Sequence, residues 1–318
     1  MSARSTRSKR GAAAPQGGAP WSPWAAAFAV LGLACGCEPA REERLAPSHE
    51  IERLAFVPPA RVELSSALEV GSEVPLLVSA YELTRGEWRV WYLQHGELSD
   101  AETLARVSAW DDSSADWPAS FLTLEEARRY AAEHGQRLLT ASEWLRVACG
   151  TAAALYPWGP NDVLSVANTL EVGLKRPTPA GTFEGGRSPL EIYDLVGNVS
   201  EWVDAPLGAR EPLDWAMGGS FLTLRQPLYD PRGGEQGTLH IALDARHRAT
   251  DVGVRLCCEA QGWLLAHAVE LDALPDAQVR LAAVGRRWGS AASALLDELA
   301  RAQPAHRSLR WLAEGTRR

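Results

Sequence analysis

The run Asp194-Leu195-Val196-Gly197-Asn198-Val199-Ser200-Glu201-Trp202 constrains this chain more than any other stretch. Two carboxylates seven residues apart flank a Gly-Asn turn, and a tryptophan closes the segment. Glycine reaches backbone angles that other residues avoid, so such a turn can aim carbonyls and carboxylates at one point. Hard cations such as calcium favour that all-oxygen arrangement.

The 318 residues suit one large domain with appendages, and 46% apolar content is enough for a buried core. Residues 1–37 read as an export signal. Arg4, Arg7, Lys9 and Arg10 precede an apolar run from Trp24 to Ala34, too short for a comfortable bilayer span. Small residues lead to Cys35-Gly36-Cys37, so Cys35 and Cys37 are candidates for lipidation at a lipoprotein-type cleavage site. An ordinary cleaved signal or an uncleaved anchor are the alternatives. Loss of the signal removes four positive charges and takes the net charge from −8 to about −12. No basic stripe remains, which argues against nucleic acid and leaves a lipid anchor as the expected membrane contact.

Beyond the signal, three cysteines remain: Cys149, Cys257 and Cys258. In an oxidising compartment, Cys149 can bridge to Cys257 or Cys258; three buried reduced thiols are the alternative. The seven histidines (His49, His95, His134, His240, His247, His267 and His306) show no metal-ligand spacing.

Residues 38–50 read as a polar tether, and a globular region begins at Ile51. Three segments open with a capping box: Thr84 with Glu87, Thr123 with Glu126, and Thr140 with Glu143. They predict helices over about Arg85–His95, Leu124–His134 and Ala141–Cys149, stopped by Gly96, Gly135 and Gly150. From Tyr156 to Cys258 the chain is rich in Gly, Pro, Asn and Asp, which predicts short strands joined by long ordered loops. Trp158, Trp202 and Trp215 are candidate pins for those loops. Beyond Ala260 helical patterning returns: one helix after Asp276 carrying Val279, Leu281 and Trp288, one around Leu295–Leu299, and a last one around Leu309–Leu312. Residues 261–318 therefore read as a helical extension, either a cap or a small separate subdomain.

Landmarks across residues 52–258 resemble the formylglycine-generating, sulfatase-modifying-factor family. Tyr81-Glu82-Leu83-Thr84 is similar to its "EVT" helix start, and Trp117-Pro118 through Glu126-Ala127 to the segment before its second helix. Gly135 to Trp144 is similar to its "GKRLPTEAEWE" block, Tyr156-Pro157-Trp158-Gly159 to "YPWG", and Ala167-Asn168 to "AN". Asp194 to Trp202, Met217-Gly218-Gly219-Ser220-Phe221 and Gly253-Val254-Arg255 complete the order. The resemblance implies an α+β domain over residues 51–260, a formylglycine-generating-enzyme-like variant of the C-type-lectin fold with little regular secondary structure, followed by the C-terminal helices. It also implies calcium held by the side chains of Asp194 and Glu201 and the carbonyls of Gly197 and Val199. Asn198 would serve the turn. A second family calcium site would begin at Asn168, where only Glu171 offers a further acid.

The family's oxidase holds copper(I) on two cysteines shortly after the Gly-Gly-Ser run, and soft thiolates suit that metal. Thr223 and Leu228 stand there in this chain, and Ser200 replaces a tryptophan of the family's turn. No copper site is expected. Ser200, Ser220, Thr223 and Leu228 become the candidate pocket for a peptide, glycan or protein ligand. Arg246-His247-Arg248 is a basic cluster for an anion or for solvent. The expected protein is an exported, lipid-anchored binding module. A cysteine-oxidising enzyme of the formylglycine-generating type and a structural component of an envelope complex are the alternatives.

Overall fold

The computed structural model describes residues 51–95, 100–207, 213–233 and 237–317. The export signal with Cys35 and Cys37, the tether and the Gly96 stop lie outside them. The elements in chain order begin with β1 (Leu54–Val57), β2 (Ala60–Ser65), β3 (Leu68–Ser72), β4 (Leu76–Ser79), α1 (Arg85–Gln94) and α2 (Ala101–Ser108). Next come α3 (Leu124–Glu133), β5 (Arg137–Leu138), α4 (Ala141–Cys149), β6 (Ser200–Trp202), β7 (Asp214–Met217), β8 (His240–Leu243), β9 (Val252–Val254) and β10 (Leu256–Glu259). The chain ends in α5 (Ala260–Asp272), α6 (Ala277–Trp288), α7 (Ser293–Ala302) and α8 (Arg307–Gly315). None of these helices is long and apolar enough to cross a membrane.

All three capping boxes form. The hydroxyls of Thr84, Thr123 and Thr140 accept from the backbone of Glu87, Glu126 and Glu143, whose carboxylates return to the cap residues. Each cap satisfies helix-end donors that would otherwise lack partners. Asp276 departs from expectation. It sits in the left-handed region ahead of α6 and makes no side-chain cap, and Val279 on that helix is exposed rather than in the core.

One sheet runs β1-β4-β10-β5, and a second runs β8-β7-β6-β9 with β6 and β9 parallel. The strand carrying Ser200, Glu201 and Trp202 is central in that second sheet, which brings the Gly253-Val254-Arg255 segment alongside it. Trp202 and Trp215 are buried as expected of pins, while Trp158 is half-buried and stacks on Tyr156 with ring centroids 5.0 Å apart.

The C-terminal helices form a layer on one face of the first sheet. Ile51, Leu54, Phe56, Leu77 and Cys258 share a core with Trp263, Leu264, Leu281, Trp288, Leu309 and Leu312. Arg287 donates to the carbonyls of Ile51, Glu52 and Leu54, and the Trp288 indole donates to Leu54. α6 and α8 approach so closely that a Cβ on Gly285 would lie 2.1 Å from the Leu312 carbonyl oxygen. Residues 261–317 are thus cover for the β-sheet and share its core.

The bridge from Cys149 to Cys257 or Cys258 is not formed: all three cysteines are buried and outside any disulfide. Successive residues of a strand face opposite sides of a sheet. Cys257 accordingly joins the core that contains Cys149, and Cys258 joins the core under the helices. Burial pushes the Cys149 thiol up to about 12 and raises Cys257 as well.

Candidate functional site

The Asp194–Trp202 loop turns through three left-handed residues, Asp194 (φ 56°), Gly197 (φ 83°) and Asn198 (φ 57°). At Gly197 a Cβ would lie 2.4 Å from the Asn168 carbonyl oxygen, so only glycine fits. Asn198 holds the turn. Its Nδ2 donates to Glu82 Oε2 at 2.6 Å, and its Oδ1 accepts from the Thr178 backbone at 2.9 Å and Asn168 Nδ2 at 3.1 Å. The Val199 N–H completes the contact with Glu82 at 3.1 Å.

Beneath this turn lies a buried ionic cluster. Glu201 accepts from Arg255 Nη2 at 2.6 Å and from its Nε at 3.0 and 3.1 Å, and from the Trp144 indole at 2.7 Å. The remaining Arg255 donors reach the Ser79 and Tyr193 carbonyls at 2.9 and 2.7 Å. Asp194 Oδ2 accepts the Gly181 N–H at 2.7 Å. Three buried carboxylates, Glu82, Asp194 and Glu201, thus lie in the field of one guanidinium, which pairs directly with Glu201. Burial, reinforced by the neighbouring carboxylates, drives Glu82 well above the usual carboxylate range and Asp194 up to about 6. Burial opposes the charge on Arg255, but Glu201 more than offsets it and raises its pKa.

This arrangement is a poor fit to the implied calcium site. Glu201 is committed to a guanidinium and an indole, and a second cation beside Arg255 would meet direct repulsion. Among the described residues no group of three or more His, Cys, Asp or Glu side chains converges as a metal site. The nearby Asn168 spends its Nδ2 on the Arg176 carbonyl and on Asn198.

Of the four candidate pocket residues at or near the Gly218-Gly219-Ser220 turn, Ser200, Ser220 and Leu228 are buried and Thr223 is half-buried. Thr223 Oγ1 accepts the Ser220 N–H at 2.7 Å and donates to the Ser220 carbonyl at 3.0 Å, closing the turn. Ser220 Oγ donates to Asp251 Oδ2 at 2.7 Å and accepts from the Leu222 N–H at 3.1 Å. Leu228 is fully buried in the main core. Ser200 is buried too, its backbone N–H donating to the Asp251 carbonyl at 2.9 Å and its hydroxyl without a hydrogen-bond partner among the described residues. Two surface hollows lie elsewhere: one of about 280 Å³ between Trp158 and Arg187, and one of about 360 Å³ between α7 and α8.

The other candidates have structural partners. Arg248 forms a two-pronged ion pair with Glu126 at 2.6 and 2.7 Å, while Arg246 and His247 are exposed. His95, His134 and His267 each place Nδ1 on the carbonyl one turn back in their own helices. Glu82, Asp251 and Arg255 are the residues the sequence reading did not single out. Glu82 and Arg255 stand inside quoted motifs, yet nothing local announces that they meet the Asp194–Trp202 loop.

Residues 64–260, more than half of the chain, match the sulfatase-modifying factor enzyme 1-like domain. A relative called hercynine oxygenase, from Mycobacterium tuberculosis, is 29% identical over 198 residues, covering 56% of this chain and 44% of that protein. A bovine relative called inactive C-alpha-formylglycine-generating enzyme 2 is 33% identical over 98 residues, 27% of this chain and 32% of that protein. The chain thus spans less than half the length of these curated relatives. Among solved structures, PvdO from Pseudomonas aeruginosa superposes with a TM-score of 0.46 at 19% identity, over 65% of this chain and 92% of that one. With the domain match comes its fold, an α+β formylglycine-generating-enzyme-like variant of the C-type-lectin architecture.

Proposed function

The chain belongs to the sulfatase-modifying factor enzyme 1-like domain family, and on that premise we propose that it works as a binding module of the cell envelope and not as an oxidase. Its N-terminal segment exports it and holds it at the membrane through a lipid. One observation carries the reading. The positions where the family's oxidase needs two thiolates hold Thr223, which closes a turn, and Leu228, which fills the core. A hydroxyl and an alkyl group are no ligands for copper(I). Among the described residues Cys149, Cys257 and Cys258 are buried, and burial holds the Cys149 and Cys257 thiols away from the thiolate form a soft metal requires.

In this reading the signature loop is pinned from within. Arg255 supplies to Glu201 the positive charge that a calcium ion would otherwise bring. What remains is a rigid scaffold presenting loops, an arrangement well suited to recognition.

Anaerobic titration of the purified chain with copper(I) against a competing chelator tests the proposal. We expect no stoichiometric complex that survives the competitor. One tightly held copper(I) per chain would overturn the reading in favour of an enzyme that oxidises a protein cysteine.

A further inference from the structure

Six of the fourteen large apolar side chains exposed among the described residues sit on three loops that meet beside Thr223: Val163 and Leu164, Leu170 and Leu174, Leu222 and Leu224. Hydrogen bonds stitch these loops together. The Leu170 N–H donates to the Thr223 carbonyl at 2.9 Å, the Arg225 N–H to Glu171 Oε1 at 2.8 Å, and the Arg225 side chain pairs with Asp162. The exposure is substantial, 71% at Leu164 and 56% at Leu224. Scattered apolar residues are ordinary on a protein surface, but a contiguous group on hydrogen-bonded loops marks a place of contact.

The same loop continues into positive charge. Directly after Leu174 come Lys175 and Arg176, held back against the fold by the bond from Asn168 Nδ2 to the Arg176 carbonyl. The Arg176 guanidinium lies over the Trp117 ring at 5.5 Å. Arg85 lies over the same ring at 5.2 Å and over Trp110 at 5.0 Å. Among the described residues no carboxylate pairs with Lys175, Arg176 or Arg85. Indoles hold the two guanidiniums in place; Arg85 is half-buried, and the exposed Arg176 can donate its N–H groups to a carboxylate. Unpaired cations beside an apolar patch call for a partner with both properties.

We infer that this face docks a leucine-bearing, acidic segment of a partner protein, an inference that rests on the binding-module reading above. An anionic bilayer fits less well. Three cations are few for a membrane surface, Asp162 and Glu171 lie among the same loops, and a chain of net charge −8 is repelled by acidic lipid.

The test uses the full-length chain and fluorescein-labelled peptides read by anisotropy. One peptide alternates Glu and Leu, a second alternates Lys and Leu, and a third alternates Glu and Ser. Binding of the Glu-Leu peptide at least tenfold tighter than either comparator supports the inference. So does a loss of tenfold or more in both the Leu222→Ser/Leu224→Ser double variant and Arg176→Glu, with melting temperatures unchanged because these side chains are exposed. Equal binding of the Lys-Leu peptide, retention of binding in both variants, or no binding of the Glu-Leu peptide overturns it. Binding to phosphatidylglycerol vesicles that Arg176→Glu abolishes, in place of peptide binding, also overturns it. If the peptides fail while the protein stays inert to copper(I), the docking face falls and the binding-module reading stands. A tight copper complex would bring down that reading on its own readout.

Discussion

The two sides of the sheet around β4 and β10 differ in what their interiors hold. Under the Asp194–Trp202 loop the interior joins apolar packing from Val78, Trp144, Ile192 and Leu195 to a polar cluster, in which Glu82, Asp194, Glu201, Arg255, Asn168 and Asn198 are buried and held by directed bonds. Under the C-terminal helices it is apolar, packed from Leu54, Phe56, Trp263, Leu281, Trp288 and Leu312. The polar core fixes one geometry, because each lost partner strands a charge in a place that water does not reach. The apolar core fixes a volume and tolerates changes that conserve it. The difference explains how the family's signature can persist where its thiols do not. The motif residues hold up loops, and that task does not depend on the two thiols.

The sharpest way to break the comparison is to remove the helices. Truncation after Ala260 uncovers Ile51, Leu54, Phe56 and Leu77, and we expect no soluble, cooperatively melting product. A truncated domain that melts like the parent would show the helical layer to be a separate unit.

Next in size is the ion pair. Arg255→Met leaves Glu201 buried beside two other carboxylates and should cost about 3–5 kcal/mol in chemical denaturation. Arg255→Lys should not rescue it, because a lysine cannot bridge both Glu201 oxygens and two carbonyls. In the apolar core, by contrast, Leu281→Met should cost less than about 1.5 kcal/mol. Equal losses from Arg255→Lys and Leu281→Met would erase the distinction drawn here.

The polar core also predicts an unusual pH dependence. The folded chain holds the Asp194 proton up to about pH 6, whereas the unfolded chain releases it near 3.8. This group therefore favours the fold fully below 3.8, and its contribution fades as pH rises to about 6. Glu82 acts in the same direction. Asp194→Asn keeps a residue tolerant of the left-handed backbone and removes the titration, so the stability profile between pH 4 and 6 should flatten. An unchanged slope would mean that Asp194 is not the group responsible. The smallest effect belongs to the helix starts. Thr84→Ala, Thr123→Ala and Thr140→Ala should each cost about 1 kcal/mol.

What the sequence revealed followed the range of the interactions. The capping boxes act over three residues, so α1, α3 and α4 were legible nearly to their ends. The loop character of residues 156–258 was equally local in origin, written in glycine, proline and asparagine. The pairing of Glu201 with Arg255 spans 54 positions, and that of Glu82 with Asn198 spans 116. No local pattern distinguishes such partners from surface charges, so a carboxylate pair around a Gly-Asn turn read as a calcium cradle. The short α2 and the β2–β3 hairpin were missed, because eight and six residues give too little periodicity to register. Thr223 and Leu228 were visible as departures from the family pattern. That they close a turn and fill the core is information only the folded chain contains.

The most direct test is incubation of the purified chain with oxygen, copper(I), a reductant and a sulfatase-derived peptide bearing one cysteine, with the product read by mass spectrometry. The account predicts that the cysteine is recovered intact, at the level of a control without protein. Catalytic turnover of that cysteine to an aldehyde would contradict it.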